Sequence, residues 1–334
     1  MPKPLSIAVL GFWHVHAEEY ARSIQAHPDT TLAAVWDPDE ARGREGAELL
    51  GTEFISDLDS LLARDDIDAV TVSTATNQHR DVILAAVQAG KHVFTEKLLA
   101  PTVDQAEEII RAADDRKVSL LVSLPQLAEA IPTAAKRLSD DGSLGELTYV
   151  RIRMAHDGWV TNWLPERFAS RAEAIGGALS DLGCHPAYLT QLFLGLSPAT
   201  VSAAYTSFSG REVEDNAVVT TTYVNGAIGV FEASFVTTPG AFTLEVRGTE
   251  GSLLYGFGSQ KLLAKGEHFD PESWQEVPLP PAGPSPFHQW VGHIRTATRP
   301  DENLLAAVEL TRLIATANDA AAKGATLPYG RSLD

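Results

Sequence analysis

The chain has 334 residues, 44% hydrophobic and 21% charged, with 26 Lys and Arg against 44 Asp and Glu for a net charge of −18. At roughly 150 residues per domain this length predicts about two domains, and the acidic balance excludes a general nucleic-acid or anionic-membrane surface, since both need a positive field. One cysteine, Cys184, excludes a disulfide framework and a cysteine-cluster zinc site, no apolar run reaches the roughly 18 residues of a membrane span, residues 1–10 lack a secretory core and cleavage site, and the cytoplasm is the expected compartment.

Residues 1–124 alternate strand and helix. Leu5 to Leu10 is an apolar strand, 17–26 a helix, Thr31 to Trp36 a strand ended by Asp37-Pro38, and 39–50 a helix. Glu53 to Ile55 reads as a short strand and Asp57 to Arg64 as a short helix. Ala69 to Ser73 is a buried strand, Asp81 to Ala89 a helix closed by Gly90, His92 to Thr95 a strand, Val103 to Arg116 a helix and Val118 to Ser123 a strand. Near-continuous apolar strands alternating with helices predict a Rossmann-type, doubly wound parallel sheet. Ligands of such sheets bind outside the carboxyl ends of the strands, where Gly11, Asp37, Thr74 and Glu96 fall.

From Pro125 the pattern changes, so 125–334 is expected to be an α+β substrate-binding and oligomerisation domain. Residues 128–141 read as a helix and Gly142 to Gly145 as a turn. Period-two strands follow at 146–156, 200–208, 217–224, 227–236, 242–248 and 252–257, which predict one large, mostly antiparallel open sheet. Helix 178–194 can cover one face of it. Pro278 to Pro286 is a proline-rich connection, and a final helix, 301–323, packs back on the protein.

The first turn is Gly11-Phe12-Trp13-His14-Val15-His16. Set against the dinucleotide pattern G-x-G-x-x-G it keeps the first glycine only, with Trp13 and His16 in the other two places. The helix behind it still offers N–H groups and about half a positive charge to a pyrophosphate. Asp37 can accept hydrogen bonds from a ribose diol and would repel a 2′-phosphate, which favours NAD over NADP; the alternative is a turn residue before Pro38. His14-x-His16 can chelate a metal, but no H-E-x-x-H or similar spacing accompanies it, so no metal site is assigned.

The stretches Asp65-Asp66-Ile67-Asp68-Ala69-Val70, Ser73-Thr74-Ala75-Thr76-Asn77-Gln78-His79 and Ala89-Gly90-Lys91-His92-Val93-Phe94-Thr95-Glu96-Lys97 resemble the Gfo/Idh/MocA oxidoreductase family, the relatives of glucose-fructose oxidoreductase and inositol dehydrogenase. A second family signature is similar to Gly176-Gly177-Ala178-Leu179-Ser180-Asp181-Leu182-Gly183-Cys184-His185. Three departures stand out: the glycine turn, Leu98 in place of the proline after Lys97, and Tyr188 where many sugar-active members carry an aspartate.

The resemblance implies an NAD(P)-dependent oxidoreductase that moves hydride between nicotinamide and a secondary alcohol or ketone of a sugar, cyclitol or related polyol. It implies Lys97, Asp181 and His185 as catalytic residues. An ammonium at Lys97 can stabilise alkoxide character on the substrate oxygen, and a buried Lys97 can exchange the proton. Asp181, four residues before His185, would share a helix face with it and fix its ring. Either Lys97 or His185 can be the proton acceptor. Cys184 reads as a small buried residue beside them.

Gly11 to His16, Asp37, Thr74, Thr76, Asn77, His79, Glu96 and Lys97 are the expected cofactor contacts, with capping of the next helix an equal reading for Asn77. The resemblance places the loop His156-Asp157-Gly158-Trp159-Val160-Thr161-Asn162-Trp163 at the substrate: Trp159 and Trp163 can stack on a sugar ring, and His156, Asp157 and Asn162 can bind hydroxyls, against the reading that the tryptophans are core. A homodimer or homotetramer through the second-domain sheet is expected. Three alternatives remain: a non-catalytic dinucleotide or sugar sensor, an NAD-assisted glycoside-cleaving enzyme, and a metal-dependent hydrolase built on His14 and His16.

Overall fold

A computed structural model describes residues 3–330, so the two ends of the expected domains, 1–2 and 331–334, lie outside the described residues. Two compact units are present. The first runs to Leu124 and adds Pro284–Thr311; the second comprises Pro125–Gly283 and the chain from Arg312 onward. The sequence reading places 284–311 wholly in the second domain, whereas these residues pack with the first.

The first unit holds strands β1 (Leu5–Leu10), β2 (Thr30–Trp36), β3 (Glu53–Phe54), β4 (Ala69–Val72), β5 (His92–Thr95) and β6 (Leu120–Val122). Its helices are α1 (Ala17–Ala26), α2 (Glu40–Leu50), α3 (Leu58–Leu62), α4 (His79–Gln88) and α5 (Val103–Arg116). The order β3-β2-β1-β4-β5-β6 is all parallel, the arrangement of a dinucleotide-binding sheet whose switch point falls between β1 and β4. Short polar side chains set the helix starts: Asp39, Asp57 and Thr102 each accept an N–H from the first turn of α2, α3 and α5. Gly51 closes α2 in the left-handed conformation.

The second unit contains α6 (Ala130–Asp140), β7 (Leu147–Ala155), α7 (Arg171–Ala174), α8 (Cys184–Leu194), β8 (Thr200–Thr206), β9 (Asn216–Thr222), β10 (Ile228–Ser234), β11 (Ala241–Gly248), β12 (Gly251–Tyr255), β13 (Leu263–Gly266) and β14 (Gln275–Glu276). Helix α9 (Pro286–Thr296) returns to the first unit, α10 (Asp301–Lys323) begins there and ends in the second, and β15 (Leu327–Pro328) closes the second unit. The nine-stranded sheet has the order β14-β13-β12-β11-β7-β10-β9-β8-β15, antiparallel except between β7 and β10. Helix α8 packs on β7 and β10. It starts at Cys184 rather than at 178, because Gly176 to Gly183 is a series of turns and Pro186 fits only a first helical turn. Residues 278–285 form the expected proline-rich connection, and helix α9, which the sequence reading missed, begins at Pro286, the last residue of the expected run. Ser285 caps it and Pro286 starts it, and its Phe287, Trp290 and Val291 join Ile7, Val9, Ile24 and Phe94 in the first unit's core.

No helix among the described residues is long and apolar enough to cross a membrane.

Candidate active site

In the first unit the crevice at the switch point is built by close backbone contact. Gly11 has φ +92°, and a Cβ there would meet the Thr74 backbone nitrogen at 2.8 Å, so only glycine lets the end of β1 lie against the end of β4. Three hydroxyls of this strand end, Thr71 Oγ1, Ser73 Oγ and Thr74 Oγ1, are buried with no hydrogen-bond partner. Buried polar atoms are ordinarily bonded, so Ser73 and Thr74 at the crevice suit a polar ligand. The turn itself is less open than the sequence implies. The Phe12 N–H goes to Asp37 Oδ2, that of His14 to the Ser73 carbonyl, that of His16 to His14 Nδ1 and that of Ala17 to the His14 carbonyl. The structure corrects the expectation of free N–H groups at these positions. Trp13 is buried, Val15 is exposed, and the Phe12 ring fills the space above Gly46.

Glu96 organises the next layer. It is 1% exposed. Its Oε1 accepts the Tyr20 hydroxyl and lies 2.9 Å from His16 Nδ1 and 3.6 Å from His14 Nδ1. Its Oε2 accepts the Lys97 N–H at 3.1 Å. Tyr20 also meets Ser123 Oγ at 2.9 Å. Burial alone would raise the Glu96 carboxyl, but the charge of His14, the hydrogen bond and charge of His16, and the Lys97 ammonium hold it well below the usual carboxylate range. Burial, with the Glu96 charge and hydrogen bond, keeps Tyr20 a neutral phenol. The peptide bond between Lys97 and Leu98, where the family pattern has proline, is cis. Tyr20 and Ser123 escape a motif-based reading: each is an ordinary residue of its element, joined to Glu96 only by the sheet order.

The remaining expected cofactor residues divide. Asp37 carries four donors: the N–H groups of Phe12 and Asp39, and Arg42 through Nε at 2.9 Å and Nη2 at 2.7 Å. A ribose diol would have to share it with Arg42. His79 is buried with Nδ1 2.7 Å from the Leu98 carbonyl and Nε2 3.2 Å from that of Thr74, and burial pushes its pKa down. It ties the loop after β5 to the loop after β4, a scaffold role instead of the expected cofactor contact. Asn77 is exposed, and α4 has no side-chain cap, so the capping role is not seen. Thr76 is half-buried in the turn before α4.

In the second unit Glu214, missed by the sequence reading, holds the signature turns. Its Oε1 accepts the N–H groups of Gly177 (2.8 Å) and Leu179 (3.1 Å), and its carbonyl accepts that of Ala178. A Cβ on Gly177 would lie 2.0 Å from that carbonyl, which accounts for the glycine. Burial pushes Glu214 up despite these bonds. The folded state therefore binds its proton more tightly than the unfolded state, and its contribution to stability grows as pH falls through the folded pKa. Glu214→Ala, leaving two buried N–H groups unpaired, is expected to cost about 3 kcal/mol in urea unfolding, while Glu214→Gln, which keeps an acceptor oxygen, costs about 1 kcal/mol or less. Equal losses in the two variants would remove this role.

Asp181 sits in the turns before α8, so it does not share a helix face with His185. Tyr188 does: its hydroxyl is 2.9 Å from His185 Nδ1. His156 stacks on Phe235 at 4.8 Å and meets Trp163 at 4.7 Å; burial lowers its pKa against the charges of Asp181 and Asp157. Trp163 is 52% exposed and donates to Asp157 Oδ1, whereas Trp159 is 5% exposed between Phe235 and the Arg211 guanidinium. Trp159 is thus a core residue, and Trp163 is the exposed ring of the two. Asn162 has φ +60° at the tip of this loop. Ser180 Oγ and Trp159 Nε1 are buried without a partner.

A parallel 3-2-1-4-5-6 sheet with unpartnered hydroxyls at its switch point is the arrangement of a dinucleotide-binding fold. Residues 5–124 match the oxidoreductase family with an NAD-binding Rossmann fold, and residues 133–254 match the GFO/IDH/MocA C-terminal domain. The chain belongs to the GFO/IDH/MocA family. It is 32% identical over 231 residues to 1,5-anhydro-D-fructose reductase of Ensifer adhaerens, covering 68% of this chain and 69% of that one. It is 34% identical over 197 residues to dTDP-3,4-didehydro-2,6-dideoxy-alpha-D-glucose 3-reductase of Streptomyces antibioticus, a match spanning 58% of each. Among solved structures, GenD2 from gentamicin A biosynthesis in complex with NAD is similar at 26% identity and a TM-score of 0.83, covering 99% of this chain and 97% of that one.

Proposed function

We propose that the protein is a dehydrogenase or reductase of a sugar, cyclitol or related polyol that uses NAD in preference to NADP. The observation that carries the reading is the crevice: Gly11 against Thr74, unpartnered Ser73 and Thr74 hydroxyls, and Glu96-Lys97 at the end of β5. These residues fit a dinucleotide, with Asp37 as the group for the adenosine ribose. NAD, when bound, takes or gives the hydride. Lys97 handles the proton of the substrate hydroxyl: as the secondary alcohol becomes a ketone and hydride leaves its carbon, the hydroxyl proton passes to a side chain rather than to water. The unpartnered Ser180 hydroxyl, the Trp159 N–H and the exposed Trp163 ring suit a hydroxyl-rich ligand, and the Ensifer and Streptomyces relatives named above are reductases of sugar derivatives. A subunit pairing through the open sheet face belongs to the same reading, and a solely monomer-sized particle at micromolar concentration would remove it.

NADH titration followed by nicotinamide fluorescence tests the core of the reading. Micromolar NADH binding, weaker NADPH binding and loss of both in Gly11→Ala are expected; no binding of either dinucleotide by the wild type would overturn it. One observation favours a further occupant: the donor atoms of His14, His16 and Glu96 lie within 4.8 Å of one another, a two-histidine, one-carboxylate set that suits a borderline divalent cation. Stoichiometric metal retained through dialysis would support that occupant, and its absence would leave the three as an ion-paired network.

A further inference from the structure

The connection 207–215, between β8 and β9, is tied to three other stretches of the second unit. The Arg211 guanidinium stands 4.7 Å from the Trp159 ring, and its Nε donates to Glu166 at 3.1 Å. Glu212 accepts the Arg171 N–H on Oε2 at 3.2 Å and Arg171 Nη2 on its carbonyl at 2.7 Å. Glu214 holds Gly177, Ala178 and Leu179. Asp215, fully buried, fixes the connection itself. Its Oδ1 accepts the Phe208 N–H and its Oδ2 that of Ser209, while its backbone bonds the Thr206 carbonyl and the Phe235 N–H. The brace is therefore stiff where it meets the signature turns. Within those turns the Asp181 N–H bonds the Gly177 carbonyl and the Gly183 N–H bonds that of Ala178. The placement that Glu214 gives Gly177 and Ala178 thus passes on to Ser180 and Asp181. A Cβ on Gly176 would meet Ser180 Oγ at 2.1 Å, which leaves that hydroxyl no slack on this side. It is buried with no partner, whereas buried polar atoms are ordinarily bonded.

We propose that Glu214 is a positioning residue for polyol binding: through the turn 177–179 it sets where Ser180 and Asp181 stand, and so governs the affinity for the polyol. The polyol half rests on the dehydrogenase reading; the hold on the turn does not. Both side-chain bonds from Glu214 to the turn fall on one oxygen, Oε1, and a carbonyl-type oxygen has two lone pairs to offer. The amide oxygen of glutamine can therefore take its place, whereas alanine leaves two buried donors unpaired. Because Glu214 acts through the turn, its loss shifts groups that bind substrate hydroxyls in the ground state and the transition state alike. Such a change raises KM more than it lowers kcat. The dinucleotide crevice belongs to the first unit and is built from other bonds, so NADH affinity does not follow.

Glu214→Ala and Glu214→Gln test this in two measurements, each made on full-length protein well below its melting temperature. The first is steady-state kinetics with NAD on a panel of aldohexoses, hexitols and inositols, beside NADH titration by fluorescence. Glu214→Ala is expected to raise the KM of the best substrate by about tenfold or more, with kcat and the NADH Kd within about threefold of wild type. Glu214→Gln is expected to bring KM back to within about threefold of wild type. The second is hydrogen exchange of peptides spanning 176–183, expected to be about a hundredfold faster in Glu214→Ala and near wild type in Glu214→Gln. Faster exchange with an unchanged polyol KM would make Glu214 a purely structural residue and overturn the proposal; unchanged exchange in Glu214→Ala would overturn the hold on the turn. If Glu214→Ala does not fold, Glu214→Asp, which draws the oxygen back by one methylene, is read against Glu214→Gln in the same way. A wild type that binds no dinucleotide and turns over no member of the panel removes the dehydrogenase reading and the polyol half with it, while exchange still decides the hold on the turn.

Discussion

Lys97→Met is expected to lower kcat on a polyol substrate by about a thousandfold, far more than it lowers NADH affinity or Tm. Lys97 is 4% exposed, follows the last residue of β5, and anchors its own N–H on Glu96 Oε2. The carboxyl ends of the strands are where a doubly wound sheet binds its ligand, so the side chain starts from the right edge of the sheet. Methionine keeps most of the apolar stem and its packing and removes only the nitrogen. Loss of a positioned acid–base group costs about 10²- to 10⁴-fold, and loss of a cation near a developing alkoxide adds to the same barrier. Steady-state rates with NADH titration and thermal unfolding on the same preparation separate chemistry from folding. A variant with turnover within about tenfold of wild type would take Lys97 out of the chemistry.

Local signals made most of the fold legible. Strands β1, β4 and β5 are nearly all buried, and their short apolar runs could only be strands of a covered parallel sheet. Asp39, Asp57 and Thr102 start their helices through their own side chains, a signal the sequence reading did not use. Helix α9 was hidden because Ser285-Pro286, a good helix start, closes a proline-rich run and so read as more loop. Strands β13, β14 and β15 are short, with too few residues for a period to show.

The site divides along the same line. Lys97, Asp181 and His185 were reached through motifs, but their partners were not, because partners are a matter of register. His14, His16 and Tyr20 come from one stretch and Ser123 from another, and only the β1-β4-β5-β6 order gathers them around Glu96 and its partner Tyr20. The same holds for Glu214 under Gly177 and for Gln126 on Tyr188. The helix-face argument for Asp181 and His185 failed because a four-residue spacing has meaning only inside a helix, and α8 begins after Asp181. Tyr188 was visible as a departure from the family pattern; its hydroxyl meets a backbone N–H that no pattern encodes.

Glu96→Gln is expected to be the most destabilising single-atom change in the first unit, costing about 3–5 kcal/mol, as breaking a buried charged network does. The carboxylate has donors on both oxygens: Tyr20 and His16 on Oε1, and the Lys97 N–H on Oε2. An amide has one oxygen, so either Tyr20 and His16 or the Lys97 N–H must face an NH₂ group, donor against donor. At about 2–4 °C per kcal/mol for a domain of this size, Tm should fall by roughly 10 °C. The pH dependence follows from the sign of the shift. The folded pKa of Glu96 lies below its ordinary value, so the unfolded state binds the proton more tightly. The stabilisation is complete above the ordinary carboxylate pKa and is lost only as pH falls through the depressed folded value. The difference in Tm between wild type and Glu96→Gln should therefore narrow as pH falls below the ordinary carboxylate range. Tyr20→Phe, which removes one donor and leaves the charge in place, should cost about 1–2 kcal/mol. If Glu96→Gln melted within about 2 °C of wild type, the network would be a by-product of packing, and the orientation of His14, His16 and Lys97 would need another cause.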